Sequence, residues 1–89
     1  MMMEGRRVYP NEKGELSLAE GDYGKHPTSG WQVRPPGHHA GGIGKHDVVE
    51  HEDGTITVSP SILLTDFDEK TGEKIQWHGY LEHGVWREV

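Results

Sequence analysis

Apolar and polar residues alternate most regularly near the middle of this chain, over residues 47–59. Runs of β-branched residues lie on both sides of Asp53-Gly54 in this segment. An Asp-Gly pair readily adopts the positive φ angles of a two-residue type I′ turn. The pattern therefore predicts a β-hairpin with the following register: Glu52 opposite Thr55, His51 opposite Ile56 and Val49 opposite Val58.

This register divides the hairpin into two faces, because neighbouring residues of a strand point to opposite sides. The face predicted to lie on the core carries Val49, His51, Ile56 and Val58. The other face carries Val48, Glu50, Glu52, Thr55 and Thr57. His51 is then expected to be a residue at the edge of the core that one hydrogen bond satisfies, with a role as a pH-sensitive group as the alternative.

The next segment, residues 62–67, is a continuous apolar run. Such a run is typical of a central strand that is buried on both sides. Ser59-Pro60-Ser61 is expected to break the ladder before it, since proline lacks the backbone donor. A polar turn at residues 68–72 follows, in which Gly72 can take a left-handed conformation.

The carboxy-terminal residues predict a second hairpin, with strands at 74–82 and 85–89 around His83-Gly84. In this geometry Leu81 faces Trp86, with Trp77 on the same side. The opposite side is predicted to carry His78, Tyr80, Glu82, Val85 and Arg87. Trp31-Gln32-Val33 also alternates and predicts a further strand, whereas residues 37–44 have the composition of a loop.

These elements predict a mostly-β fold, since no segment has helical periodicity. We expect an antiparallel β-meander that forms a small curled sheet, a sandwich or a half-open barrel. Residues 31–89 are predicted to form the β-domain. Residues 1–30, rich in glycine and charge, are predicted to be a flexible polar arm that adds one edge strand at most.

Composition limits the functions that such a domain performs. Fifteen acidic and nine basic residues give a formal net charge of −6, which argues against direct binding to nucleic acid and favours a basic protein partner. The first residues contain no apolar run typical of a signal peptide or membrane span, so a cytoplasmic location is expected. The chain has no cysteine, which excludes disulfides and thiolate metal sites.

Seven histidines in 89 residues raise the alternative of a metal site. The three that lie in or beside one loop, His38, His39 and His46, are the candidate zinc or nickel ligands. Their spacing is neither the i, i+2 of a strand nor the i, i+4 of a helix, so we expect solvated loop histidines and no cofactor, with zinc as the alternative. The glycine-rich stretch 41–45 departs from a phosphate-binding loop at two positions, and an enzyme is not expected.

Surface residues suggest where a protein partner would bind. The carboxylates Glu50 and Glu52 form an acidic patch on the predicted outer side of the first hairpin. Trp31, Trp77 and Trp86 are expected to be core anchors, and any of them exposed beside Tyr80 and Arg87 would form a binding hot spot. The candidate partner-binding residues are therefore Glu50, Glu52, Tyr80 and Arg87.

Two stretches, EHEDGTITVSPSIL at residues 50–63 and WHGYLEHGVW at residues 77–86, resemble small proteins of unknown function from bacteriophages and prophages, particularly those of actinobacteria. This resemblance implies a phage accessory protein, present in the bacterial cytoplasm or in the virion. Some similar proteins share the Ser-Pro-Ser-Ile step and carry cysteines suggestive of zinc, which this chain lacks. The resemblance implies no catalytic residue.

Three functional hypotheses follow from the residues and the resemblance together. The leading one is a non-enzymatic protein-binding module that acts on a host factor or a defence protein. The second is a virion structural or decoration protein, which predicts a homo-oligomer. The third is a small histidine-based metal-binding protein.

Overall fold

The computed structural model describes residues 2–89, and these residues form β-strands, turns and loops. No helix long and apolar enough to cross a membrane is present among them. Strands in this part of the chain are β1 (Met2–Glu4), β2 (Arg6–Arg7), β3 (Asp22–His26), β4 (Gly30–Val33), β5 (Gly41–Gly42), β6 (Asp47–Glu50), β7 (Ile56–Phe67), β8 (Lys74–Glu82) and β9 (Val85–Glu88).

The strands form two sheets. The large sheet has the order β1-β9-β8-β7-β6, and all its pairs are antiparallel. The small sheet has the order β2-β3-β4-β5, in which β2 runs parallel to β3. The prediction of an all-β fold built around a meander is confirmed, and the sheets do not close into a barrel. The Trp31 strand, β4, belongs to the small sheet and does not extend the meander.

The core lies between the two sheets, and both contribute to it. The small sheet and the segment after it supply Tyr23, Val33 and Ile43; the large sheet supplies Ile56, Val58, Ile62, Trp77, Leu81 and Trp86. Trp77 and Trp86 pack edge to face with ring centroids 5.3 Å apart. Both are core anchors as predicted, and Trp31 packs against the same cluster while partly buried.

The amino-terminal third differs from the flexible arm predicted for residues 1–30. Residues 2–30 supply β1, β2 and β3, and the Tyr23 side chain is only 1% exposed. The indole Nε1 of Trp86 donates a 2.9 Å hydrogen bond to the carbonyl oxygen of Gly21, which joins this region to the end of the chain. A polar segment of this kind becomes ordered because distant strands supply its hydrogen-bonding and packing partners. Hydrophobic periodicity within the segment does not reveal those partners.

Asp22 is a second buried anchor in this third. Its carboxylate accepts hydrogen bonds from Arg6 Nε at 3.2 Å and Nη2 at 2.9 Å, and from the Ala19 amide at 2.9 Å. The hydrogen bonding with Asp22, and then the negative charge of that carboxylate, raise the pKa of Arg6. A buried carboxylate needs such donors, so β2 and the turn before β3 are held together at Asp22.

The first hairpin forms where predicted, but its register is shifted by one residue. Val48 pairs with Val58 and Glu50 with Ile56. The loop therefore contains three residues, 52–54, closed by a 2.8 Å bond from the His51 amide to the Thr55 carbonyl. Only Gly54 has a positive φ, of 87°, as in a three-residue loop with a left-handed glycine at its end. The predicted two-residue type I′ turn is wrong.

The shifted register exchanges the faces of β6, because a one-residue slip turns every side chain over. Val48 packs against the core, whereas Val49, predicted to be buried, is 57% exposed. Ile56 and Val58 are buried as predicted. Val49 and His51 therefore do not form the predicted core face, and His51 is only half-buried at the end of the hairpin.

Ser59-Pro60-Ser61 lies inside one long strand. The pairing of β7 with β8 shifts register between Val58 and Ile62, so the ladder is interrupted there while the strand continues. The predicted burial of residues 62–67 on both sides is wrong. Ile62 is fully buried, but Leu63 is 55% exposed, because the other side of the large sheet is not covered.

The last two turns agree with the predictions. Gly72 has a φ of 72°, and the turn before it is held by hydrogen bonds from the Lys70 and Thr71 amides to Asp68 Oδ1. His83 and Gly84 have φ values of 47° and 74°, as a type I′ turn requires. The predicted pairing of Leu81 with Trp86 is confirmed.

Candidate protein-binding surface

The side of the large sheet that faces away from the core is an open surface, which we call the outer face. Strands β7, β8, β9 and β1 lie side by side across it. Because paired residues of neighbouring strands share a face, the register places Tyr80, Arg87 and Met2 in one row across this surface. The next row contains Leu63, His78 and Val89, since the Val89 amide donates to the His78 carbonyl.

Tyr80 and Arg87 form a pair near the middle of the outer face. The Arg87 guanidinium carbon lies 4.4 Å from the centroid of the Tyr80 ring. Its Nη2 also donates a 3.2 Å hydrogen bond to Glu82 Oε1, so the guanidinium is held from two sides. Two of the four predicted partner-binding residues are thus brought into contact, on a flat and accessible strand pair.

Apolar side chains extend this pair in both directions. Leu63 is 55% exposed, Met2 69% and Val89 71%. Single exposed apolar residues are ordinary, but Met2 lies in the row of Tyr80 and Arg87, and Leu63 and Val89 lie in the row next to it. The combination of an aromatic ring, an arginine and neighbouring apolar side chains is characteristic of the central part of protein interfaces.

A notch of about 380 Å³ opens beside Tyr80, at the register shift of β7. The residues that line it are Thr57, Val58, Ser59, Pro60, Ser61, Tyr80 and Glu82. The sequence indicated a break at this position but not that the break would form a depression next to the tyrosine. Its lining combines the apolar surface of Val58, Pro60 and Tyr80 with hydroxyl groups and the Glu82 carboxylate, a mixture that suits a peptide segment.

Ser61 and His78 meet at the border of this notch, a pairing that their separation in sequence does not reveal. His78 Nε2 lies 3.1 Å from Ser61 Oγ. A serine beside an imidazole resembles the first half of a hydrolytic triad. Within residues 2–89, His78 has no carboxylate partner to orient it, and the pair lies on the exposed sheet surface. The geometry is that of a surface hydrogen bond.

The other two predicted partner-binding residues lie elsewhere. Glu52 is exposed in the loop of the first hairpin. Glu50 is turned toward the small sheet, where its Oε2 accepts a 2.8 Å hydrogen bond from Arg7 Nη1. Arg7 Nη1 also donates to the Gly54 carbonyl at 3.0 Å. Glu50 thus joins the two sheets, and the predicted acidic patch is divided between two environments.

The three predicted metal ligands have separate partners. His38 Nδ1 is 3.0 Å from the His39 carbonyl, and His46 Nε2 is 3.1 Å from the Ser61 carbonyl. His39 Nε2 lies 4.0 Å from Asp66 Oδ2. Across residues 2–89, no group of three or more histidine or carboxylate side chains is placed to hold a metal ion. The loop does not gather these histidines into a cluster.

A different histidine pair is formed by the first and the last hairpin turns of the large sheet. The rings of His51 and His83 are stacked with centroids 3.7 Å apart and planes 11° from parallel. Thr57 Oγ1 lies 2.7 Å from His51 Nε2 and accepts a 3.0 Å hydrogen bond from the His83 amide. The shifted register of the first hairpin brings His51 here, so the sequence alone did not indicate the pair.

Comparison with known proteins does not assign this surface a function. No family model, no curated protein and no solved structure matches the chain.

Proposed function

We propose that this protein is a non-enzymatic protein-binding module that contacts its partner through the outer face of the large sheet. The observation that carries the proposal is the row of Tyr80, Arg87 and Met2, flanked by exposed Leu63 and Val89. Tyrosine and arginine are enriched among residues that dominate binding energy. Stacking already orders the Arg87 side chain on Tyr80, which lowers the entropy lost on binding.

Charge supports a basic partner. The net charge of −6 favours encounter with a positively charged protein, including one that itself binds nucleic acid. The resemblance to phage and prophage proteins supports a bacterial target, either a host factor or a defence protein. The protein would act by occupying the target's surface, since the outer face offers a flat sheet with a shallow notch.

An affinity capture from bacterial lysate tests the proposal with three baits. The wild-type chain and a Lys25→Glu variant should retain the same protein, because Lys25 is exposed on β3 of the small sheet. A double variant, Tyr80→Ala with Arg87→Glu, should lose that protein. Hot-spot residues contribute about 2 kcal/mol or more, so the affinity measured with the purified partner should fall by roughly 30-fold or more.

Two results would count against the outer face. Equal retention by all three baits would place the contact elsewhere on the molecule. Retention of nothing but the chain itself would favour the alternative of a virion component that assembles from copies of this protein. The edge of β7 that β6 leaves unpaired favours this alternative.

A further inference from the structure

One edge of β7 has no neighbouring strand over half its length. Strand β6 pairs only with residues 56–59, whereas β8 pairs with residues 62–67 on the opposite side. In the described part of the chain, no backbone hydrogen bond outside the strand ladders involves residues 62–67. The second edge of this half of β7 is therefore unpaired, and unpaired edges are templates for further strand pairing.

Two observations show which amides point outward. Ser61 directs its carbonyl away from β8, toward the His46 ring. His78 directs its carbonyl toward β9, where it accepts from the Val89 amide. Because amide directions alternate along a strand, both observations assign the open edge to Leu63, Thr65 and Phe67. The Phe67 amide donates to Asp66 Oδ1 at 2.8 Å, so one of the three donors already has a local partner.

The exposed side chains of this edge are symmetric about Thr65. Leu63 and Phe67, two residues on either side of it, are 55% and 61% exposed. Both belong to the outer face, since they lie across from His78 and Lys74 on β8. If the added antiparallel strand were β7 of a second copy, with the two strands centred on Thr65, Leu63 of each copy would pack against Phe67 of the other.

We infer that the open edge of β7 binds a second copy of this chain, with Thr65 opposite Thr65 and Leu63 opposite Phe67 across a twofold axis. This register pairs only Leu63, Thr65 and Phe67, and the Phe67 amide is the one donor that must leave a local partner. A register centred on Leu63 would need the Ser61 carbonyl, which His46 occupies, and one centred on Phe67 would run into the turn at 68–72. The two outer faces then join in one continuous sheet.

Charge complementarity at the ends of the paired strands supports the same partner. Beyond Phe67 each chain enters a turn that begins with the acidic pair Asp68-Glu69, and the pairing of Phe67 with Leu63 brings this turn close to Ser61 of the second copy. His46 and Lys45 precede β6 at that position, and His46 lies against Ser61. Acidic and basic groups would therefore meet at both ends of the paired strands, while the Phe67 amide would exchange Asp66 for the Leu63 carbonyl of the other copy.

Cysteine cross-linking tests the register directly, because the chain has no cysteine of its own. In an antiparallel hydrogen-bonded pair the Cα atoms are about 5.5 Å apart, which a disulfide can span. A Thr65→Cys variant should form a covalent dimer under mild oxidation. The matched control is Gln76→Cys, which is exposed beside Thr65 on β8 but lies one strand further from the twofold axis. It should remain mostly monomeric.

Light scattering of the unmodified protein supplies the second measurement. Five paired residues make a small interface, so we expect a reversible dimer with a dissociation constant in the micromolar range or weaker. The mass should rise with concentration from 10.0 kDa toward twice that value. Thr65→Pro should keep the mass at that of one chain, and circular dichroism must show that this variant is folded.

The inference is overturned if Thr65→Cys cross-links no faster than Gln76→Cys, or if the wild-type mass stays at 10.0 kDa up to millimolar concentration. It goes beyond the proposed function and fails separately from it. Cross-linking at Thr65 needs no bacterial partner, and loss of a captured partner in the Tyr80 and Arg87 double variant does not depend on the β7 edge.

Discussion

Arg7 is a side chain that joins the two sheets. It belongs to β2 of the small sheet and bonds to Glu50 and to the Gly54 carbonyl of the large sheet. Its guanidinium carbon also lies 4.6 Å from the Tyr9 ring centroid and 4.8 Å from that of Trp31. The ion pair itself adds little because Glu50 is half exposed. The packed stem and the bond to a backbone carbonyl are the larger contributions.

Replacement of Arg7 by alanine is expected to lower the free energy of unfolding by about 1–3 kcal/mol, because it removes this packing and leaves the Gly54 carbonyl unpaired. Arg87→Ala is the control, since Arg87 also stacks on a tyrosine but on the exposed outer face, and should change stability by less than about 0.5 kcal/mol. Urea unfolding measures both. Equal effects would show that the join between the sheets does not depend on Arg7.

The contact of Arg7 with Glu50 also changes how the predicted acidic patch must be tested. Charge reversal at Glu50 would repel Arg7 at close range and disturb the packing of the two sheets. A loss of partner binding in such a variant would then report a change of fold. Glu52, exposed in the hairpin loop, remains a usable probe of the same region.

At the scale of elements, the first hairpin shows how loop length decides which residues are buried. Its three-residue loop keeps Val48 opposite Val58 and exposes Val49. The Asp-Gly pair is compatible with both a two-residue and a three-residue loop. The choice is made by the core, because Val48 packs against the buried cluster in the observed register.

Deletion of Glu52 should therefore be tolerated. His51 and Thr55 would still close the loop, now through Asp53-Gly54 alone in a type I′ turn. We expect Val48 to stay opposite Val58, with a melting temperature within about 5 °C of the wild-type value, which corresponds to roughly 1 kcal/mol in a domain of this size. Cross-strand nuclear Overhauser contacts between Val48 and Val58 measure the register. Contacts of Val49 with the core instead would mean that the strand had slipped.

At the scale of the whole molecule, two exposed turn carboxylates make stability depend on pH. Hydrogen bonds from Thr55, first from its hydroxyl and then from its amide, lower the pKa of Asp53. The Thr71 and Lys70 amides lower the pKa of Asp68. Each carboxyl binds a proton less readily when folded than when unfolded, so the stabilisation is complete above the ordinary value of 3.8 and is lost as pH falls below it.

The free energy of unfolding is thus expected to fall as pH decreases from about 4, the unfolded carboxyl pKa, through the lowered values in the folded protein. An Asp68→Asn variant should show a shallower fall, since asparagine keeps an acceptor oxygen for the turn but does not titrate. Urea titrations of both proteins at roughly pH 2.5, 4 and 6 measure how the free energy of unfolding of each depends on pH. A wild-type slope that Asp68→Asn does not reduce would exclude Asp68 from the acid response.

Much of the fold could be predicted from the sequence, because the interactions that specify it are local. The turn chemistry of His83-Gly84 and Gly72 and the β-branched flanks of the hairpins specify strands without reference to distant partners. The pairing of Leu81 with Trp86 and the contact of Tyr80 with Arg87 follow from one two-residue turn. The same reason separates the four predicted partner-binding residues. Tyr80 and Arg87 meet across one local turn, whereas the position of Glu50 depends on Arg7 in the other sheet.

Composition and local pattern by themselves determined an all-β chain with hairpins at its carboxy-terminal end, because turns and alternation act over a few residues. Tertiary structure decided what depends on distant partners: the burial of Tyr23, the face of β6 turned to the core and the open edge of β7. In each case the free energy comes from packing or pairing between segments far apart in sequence, which alternation within one segment does not encode.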